Sequence, residues 1–185
     1  MARKDWVDHG YKMAEDPSYK EIREIYGWLC AGNLDELEFA SQVLDGFPHG
    51  QDGYFGTPWI VHAVSRNCLT SVNWMIGKGV DLNPKVQDGY QPLIASLEQD
   101  GEEKYQILAA LISSGADINQ RGINSWTPLH KAALQDDERS MRMLLMAGAD
   151  RAVTTLVDDD LTAEEEARSL GHLKSADFIA KFSSD

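Results

Sequence analysis

Two short anchors recur along the chain at nearly the same interval, and this constrains the fold more than any single motif. The first opens the frame Thr127-Pro128-Leu129-His130. It returns in weaker form at Thr57, Gln91 and Thr162, so that successive copies stand 34, 36 and 35 residues apart. The second is Gly79-Val80-Asp81, Gly115-Ala116-Asp117 and Gly148-Ala149-Asp150, with intervals of 36 and 33 residues. A period in this range signals stacked modules, each too small to bury its own apolar face and each completed by its neighbours.

Every module reads as a helix pair. Pro128 fits the first helical turn, where its missing N–H is not needed, and Thr127 stands at the N-cap. Leu129, Ala132 and Ala133 give the first helix a small apolar face that lets neighbours approach. Met141, Leu144 and Leu145 form an i, i+3, i+4 stripe on the second helix. Leu108, Leu111 and Ile112 repeat that stripe, as do Val72, Met75 and Ile76. Gly79, Gly115 and Gly148 follow the stripes, where a left-handed helix end is cheapest for glycine.

These residues resemble the ankyrin repeat family over roughly residues 19–182. The resemblance implies an all-α solenoid with β-turn fingers and capping units at both ends. Its units fall at about 19–48, 49–83, 84–120, 121–153 and 154–182, behind an N-terminal capping segment, 1–18. The unit 121–153 fits without a gap, whereas the one before it carries about three extra residues around Glu98–Lys104. In the N-terminal segment, Trp6, Tyr11 and Met13 are apolar enough to cover the open end of the array. Ser18 with Glu21 fits a capping box. The finger Pro48–Gly56 is longer and richer in glycine than the pattern, and Asp160 replaces the usual turn glycine of the last finger.

The formal net charge is −13 and the pI about 4.7. Affinity for phosphate backbones and for anionic membrane surfaces rests on Lys and Arg, so nucleic acid and membrane are disfavoured and a basic protein is the expected partner. No apolar run reaches the length of about 18 residues that a membrane span needs, and the N-terminus lacks the apolar core of a secretory signal. Cys30 and Cys68, both read in helical context, are expected as reduced core or near-core thiols, which points to the cytoplasm.

No nucleophile elbow, phosphate loop or metalloprotease motif occurs, so no enzyme activity, cofactor or metal site is expected. The acidic clusters 100–103, 136–138, 158–160 and 164–166 suit helix starts and turns. They also suit contact with a Lys/Arg-rich surface. His62 falls where the repeat pattern calls for alanine, and packing is its simplest role.

In ankyrin-type arrays partners are met by finger tips and by the concave face of the first helices. Carried onto this chain, the resemblance picks finger residues Tyr54, Gln87, Tyr90, Ile123 and Trp126, and first-helix residues Val64, Glu98, Leu134 and Gln135. The reading that follows is a protein-binding module, monomeric when free, that inhibits a basic effector in the manner of an immunity protein. The alternative is an adaptor or scaffold.

Overall fold

The computed structural model describes residues 17–53, 55–86, 89–156 and 160–183. Among these residues ten α-helices form: α1 (Pro17–Ala31), α2 (Leu34–Val43), α3 (Trp59–Ser65), α4 (Leu69–Gly77), α5 (Pro92–Leu97), α6 (Glu103–Ser113), α7 (Pro128–Leu134), α8 (Glu138–Met146), α9 (Ala163–Ser169) and α10 (Leu173–Lys181). Consecutive helices pair, α1 with α2 through α9 with α10. The first helices of successive pairs pack on one another from α1 to α9, and the second helices do so from α4 to α10. No strand forms among the described residues. Isolated bridges at Gln51–Pro58 and Thr154–Thr162 close the bases of two fingers.

The repeated stripes explain the stacking. Val72, Met75, Leu108, Leu111, Met141, Leu144 and Leu145 are all buried in one continuous core that runs from Ile22 to Ile179. Burying each such side chain contributes about 1.5–3 kcal/mol, which no isolated pair collects in full. Gly79, Gly115 and Gly148 end the second helices at φ of +73°, +94° and +94°, a region where L side chains are strained. The additional residues of the 84–120 stretch lie partly in the α5–α6 link, residues 98–102, and α6 is longer than α8 (11 against nine residues).

A ladder of side-chain amides fixes the spacing of successive modules. Asn83 Oδ1 accepts the Asp117 N–H at 2.6 Å, and Asn119 Oδ1 accepts the Asp150 N–H at 2.9 Å. Ala152 stands where the next asparagine would be, and Arg151 takes over by donating to the Ile179 and Phe182 carbonyls. The fingers need a left-handed residue two positions before the helix cap. Gly89, Ser125 and Asp160 supply it at φ of 71°, 60° and 52°. Asp160 thus keeps the turn without glycine, as a short polar side chain can. Gly122 answers a different need: a Cβ there would lie 2.4 Å from the Gly89 carbonyl oxygen, so only glycine lets these two fingers touch.

Two expectations change, and a third is not reached. Helix α1 begins at Pro17, which puts Ser18 inside the first turn rather than at the cap. Cys30 is exposed near the end of α1 rather than in or near the core, whereas Cys68, the residue preceding α4, is half-buried; both are free. The reading of Trp6, Tyr11 and Met13 falls outside the described residues.

Candidate protein-binding surface

The expected contact residues divide by burial. Gln135 and Glu98 are exposed, and Tyr90, Trp126 and Leu134 are half-buried. Val64 is 0% exposed in the core of α3 and cannot meet a partner, because the short helix turns that position against α1 and α5 rather than outward. Ile123 lies in a 3₁₀ turn at its finger, of which only the backbone is described. Tyr54 and Gln87 lie outside the described residues.

The two equivalent aromatics are tethered by their polar ends. The Tyr90 hydroxyl donates to Glu98 at 2.5 Å, and Glu98 also pairs with Lys131 of α7. Burial raises the Glu98 pKa, but the bonds from Lys131 and Tyr90 outweigh it and hold the carboxyl below its usual range. Trp126 Nε1–H donates to Glu166 of α9 at 2.8 Å. The structure therefore brings Tyr90 and Glu98 together and ties Trp126 to the following module.

Most of the acidic clusters serve as braces between modules. Glu102 forms a two-pronged bond with Arg139 at 2.5 and 2.6 Å, and Arg139 stacks over Tyr105. Asp137 caps α8 through Ser140 and pairs with Lys104 of α6. Desolvation works against the charged form of Asp137, yet Lys104 and Ser140 keep its pKa below the ordinary value. Asp136 accepts from Ser175 and bonds His172, both of the last helix pair. Glu165 makes a reciprocal capping box with Thr162.

A different set of carboxylates stays open. Asp81, Asp117 and Asp150 are exposed, one per module, at the exit of α4, α6 and α8. Each spends Oδ1 on the N–H two residues ahead, at 2.8–2.9 Å. None takes part in an ion pair among the described residues. The Asn83–Asn119 ladder holds the three in a row.

Around the first finger sequence reasoning missed the organising group, Asp52. Its carboxylate is fully buried; it accepts the Phe55 N–H and the Thr57 N–H, the latter at 3.0 Å, and bonds His62 Nε2 at 2.7 Å. The Tyr26 hydroxyl of α1 meets the same His62 nitrogen at 3.1 Å. The Tyr26 and Trp59 rings flank the imidazole at 4.6 and 5.6 Å. Burial lowers the His62 pKa, and the bond to Asp52 only partly opposes this. The one available signal was His62 itself, the bulky residue at an alanine position.

His62 and Asp52 beside Tyr26 and Cys30 invite comparison with a catalytic relay. In a relay the acid orients one ring nitrogen while the other faces the nucleophile. Here acid and phenol share Nε2, and Cys30 makes no hydrogen bond to His62 among the described residues. The arrangement is a clamp that ties finger, α3 and α1. No group of three or more His, Cys, Asp or Glu among the described residues is placed to hold a metal ion. No helix among them is long and apolar enough to cross a membrane.

Comparison with known proteins agrees with this architecture. The chain is 30% identical over 167 residues to alpha-latroinsectotoxin-Lt1a of Latrodectus tredecimguttatus, covering 84% of this chain and 11% of that protein. It is 32% identical over 95 residues to the Fowlpox virus ankyrin repeat protein FPV031, covering 50% and 27%. It is 30% identical over 145 residues to alpha-latrocrustotoxin-Lt1a of the same Latrodectus species, covering 75% and 10%. The chain thus spans a minor part of the length of each of these relatives. Residues 60–155, about half of the chain, match the family model described as ankyrin repeats in three copies, and the chain belongs to the ankyrin repeat family, whose arrays are protein–protein interaction modules.

Proposed function

We propose that this array is a non-enzymatic, cytoplasmic inhibitor that binds a basic effector protein and masks it. The observation that carries the reading is the row Asp81, Asp117 and Asp150. These carboxylates are exposed, evenly repeated and without cationic partners among the described residues, in a chain of net charge −13. Lys and Arg side chains of a partner would meet them beside the finger surface that carries Tyr90 and Trp126. Opposite charge raises the encounter rate and makes the complex salt-sensitive. The two free thiols support a reducing compartment, and the free chain is taken to be a monomer.

The test compares the chain with the triple variant Asp81→Asn/Asp117→Asn/Asp150→Asn as bait. Asparagine keeps the turn-capping oxygen and removes the charge. The captured protein is identified and its activity measured with and without the bait. The expected outcome is a basic protein that is silenced on binding, released by salt and held at least about tenfold more weakly by the triple variant. A partner that remains active while bound supports an adaptor instead. Retention by the variant equal to that of the parent chain removes the acidic row from the interface.

A further inference from the structure

Seven arginines lie among the described residues, and five are occupied. Arg139, Arg142 and Arg168 pair with carboxylates, while Arg121 and Arg151 donate to main-chain carbonyls. The remaining two, Arg23 of α1 and Arg66 at the end of α3, are exposed, and their guanidiniums have no hydrogen-bonding or ionic partner among the described residues. Both line one cleft of 680 Å³ between the first two modules, together with Tyr26, Gly27, Phe55 and His62. In a chain with 30 acidic and 17 basic residues, two unanswered guanidiniums in one cleft are a departure from the rule elsewhere in the fold.

The cleft holds one of its two cations against an aromatic ring. Arg66 lies over the Tyr26 ring, 4.8 Å from its centroid. That ring is fixed in turn by the edge of Trp59 at 6.4 Å and by His62. Arg23 precedes Tyr26 by one helical turn and so shares its face of α1. Gly27 adds no side chain to the wall, and the ring of Phe55, 54% exposed, borders the opening. A planar, immobilised guanidinium beside an apolar ring favours a carboxylate flanked by aliphatic groups over an isolated ion, because the fork matches two oxygens and the ring takes the alkyl part.

We propose that this cleft is a carboxylate-binding subsite that receives an acidic segment of the protein partner, its Asp or Glu side chains on Arg23 and Arg66 and its apolar side chains on Phe55. The inference rests on the reading of the array as a protein-binding module. It adds an orientation: acidic chain toward α1, basic surface toward the aspartate row.

The test uses the full chain and a dye-labelled peptide of alternating glutamate pairs and leucines, with the matching glutamine peptide as control. Fluorescence anisotropy gives the affinities. The glutamate peptide binds the parent chain, Arg23→Gln/Arg66→Gln weakens it by about tenfold or more, and the glutamine peptide binds no better to the parent than to the variant. Asp81→Asn/Asp117→Asn/Asp150→Asn binds the glutamate peptide at least as well as the parent, since it removes repulsion only. Circular dichroism confirms that all chains hold the same helix content, as expected for exposed positions. Equal affinity for the two peptides, or no loss in the arginine variant, overturns the subsite and leaves the aspartate row untouched. Loss of salt-sensitive capture with peptide binding intact overturns the row and leaves the subsite standing.

Discussion

The first and third fingers perform the same task with unrelated chemistry. At the third, Thr127 and His130 form a capping box, and His130 Nε2–H donates to the Leu161 carbonyl of the following finger at 3.2 Å. At the first, a buried aspartate holds two finger N–H groups and a histidine four residues past the cap, and that histidine reaches back to α1 through Tyr26. The second finger uses a third device: Gln91 donates its amide to the Arg121 carbonyl at 2.6 Å, and apolar Ile94 fills the histidine position. What recurs along the array is therefore a side-chain link from each finger or its cap to a neighbouring module. The atoms that make it are exchangeable.

The sharpest way to break this comparison is to remove each clamp's centre. Asp52→Ala strands the Phe55 and Thr57 N–H groups and the His62 ring in a buried site. It is expected to cost about 3 kcal/mol, more than the cost of about 1 kcal/mol for the cap variant Thr127→Ala. Urea midpoints for both variants check this. An Asp52→Ala loss no larger than that of Thr127→Ala would mean that the first finger is held chiefly by Phe47, Trp59 and Trp74, whose rings pack at 5.2 and 5.9 Å.

That asymmetry also explains what was legible beforehand. The helices, their stripes and the glycine ends follow from residues that repeat, so two anchors sufficed to set them. His130 was readable because its partner Thr127 is three residues away. Asp52 was not, because its partners span the finger and include His62 of α3, ten residues away, and nothing in Gly50-Gln51-Asp52-Gly53 distinguishes it from an exposed turn aspartate. Val64 was misassigned for a related reason: a six- or seven-residue helix exposes so little that one position decides between core and surface. Arg23 and Arg66 escaped notice because the property that matters is the absence of a partner.

The two clamps also share a consequence in acid. Burial lowers the pKa of both His62 and His130, so the folded chain holds them neutral while the unfolded chain binds protons near pH 6.5. The stability they contribute is present above that pH and is lost as pH falls from about 6.5 toward their folded values. A second loss follows at lower pH, as the depressed carboxyls of Glu98, Asp136 and Asp137 are protonated. Urea midpoints measured between pH 7.5 and 5.5 should fall in the parent chain and stay nearly level in His62→Gln/His130→Gln. An unchanged slope in the double variant would show that the two rings titrate in the fold as they do in the unfolded chain.

The smallest expected effect probes α1, the helix that the first clamp secures. Gly27 lies in its interior, and a Cβ added there meets nothing within 4 Å. Gly27→Ala should therefore stabilise by about 0.5–1 kcal/mol, through the helix alone. In a stacked array a gain at one end spreads only through neighbouring contacts. Amide exchange should slow in α1 and α2 while rates in α9 and α10 stay as they were. Uniform slowing along the chain would mean that the modules unfold as one cooperative block, and the contrast between a locally clamped first finger and a regular third would then carry no separate energetic weight.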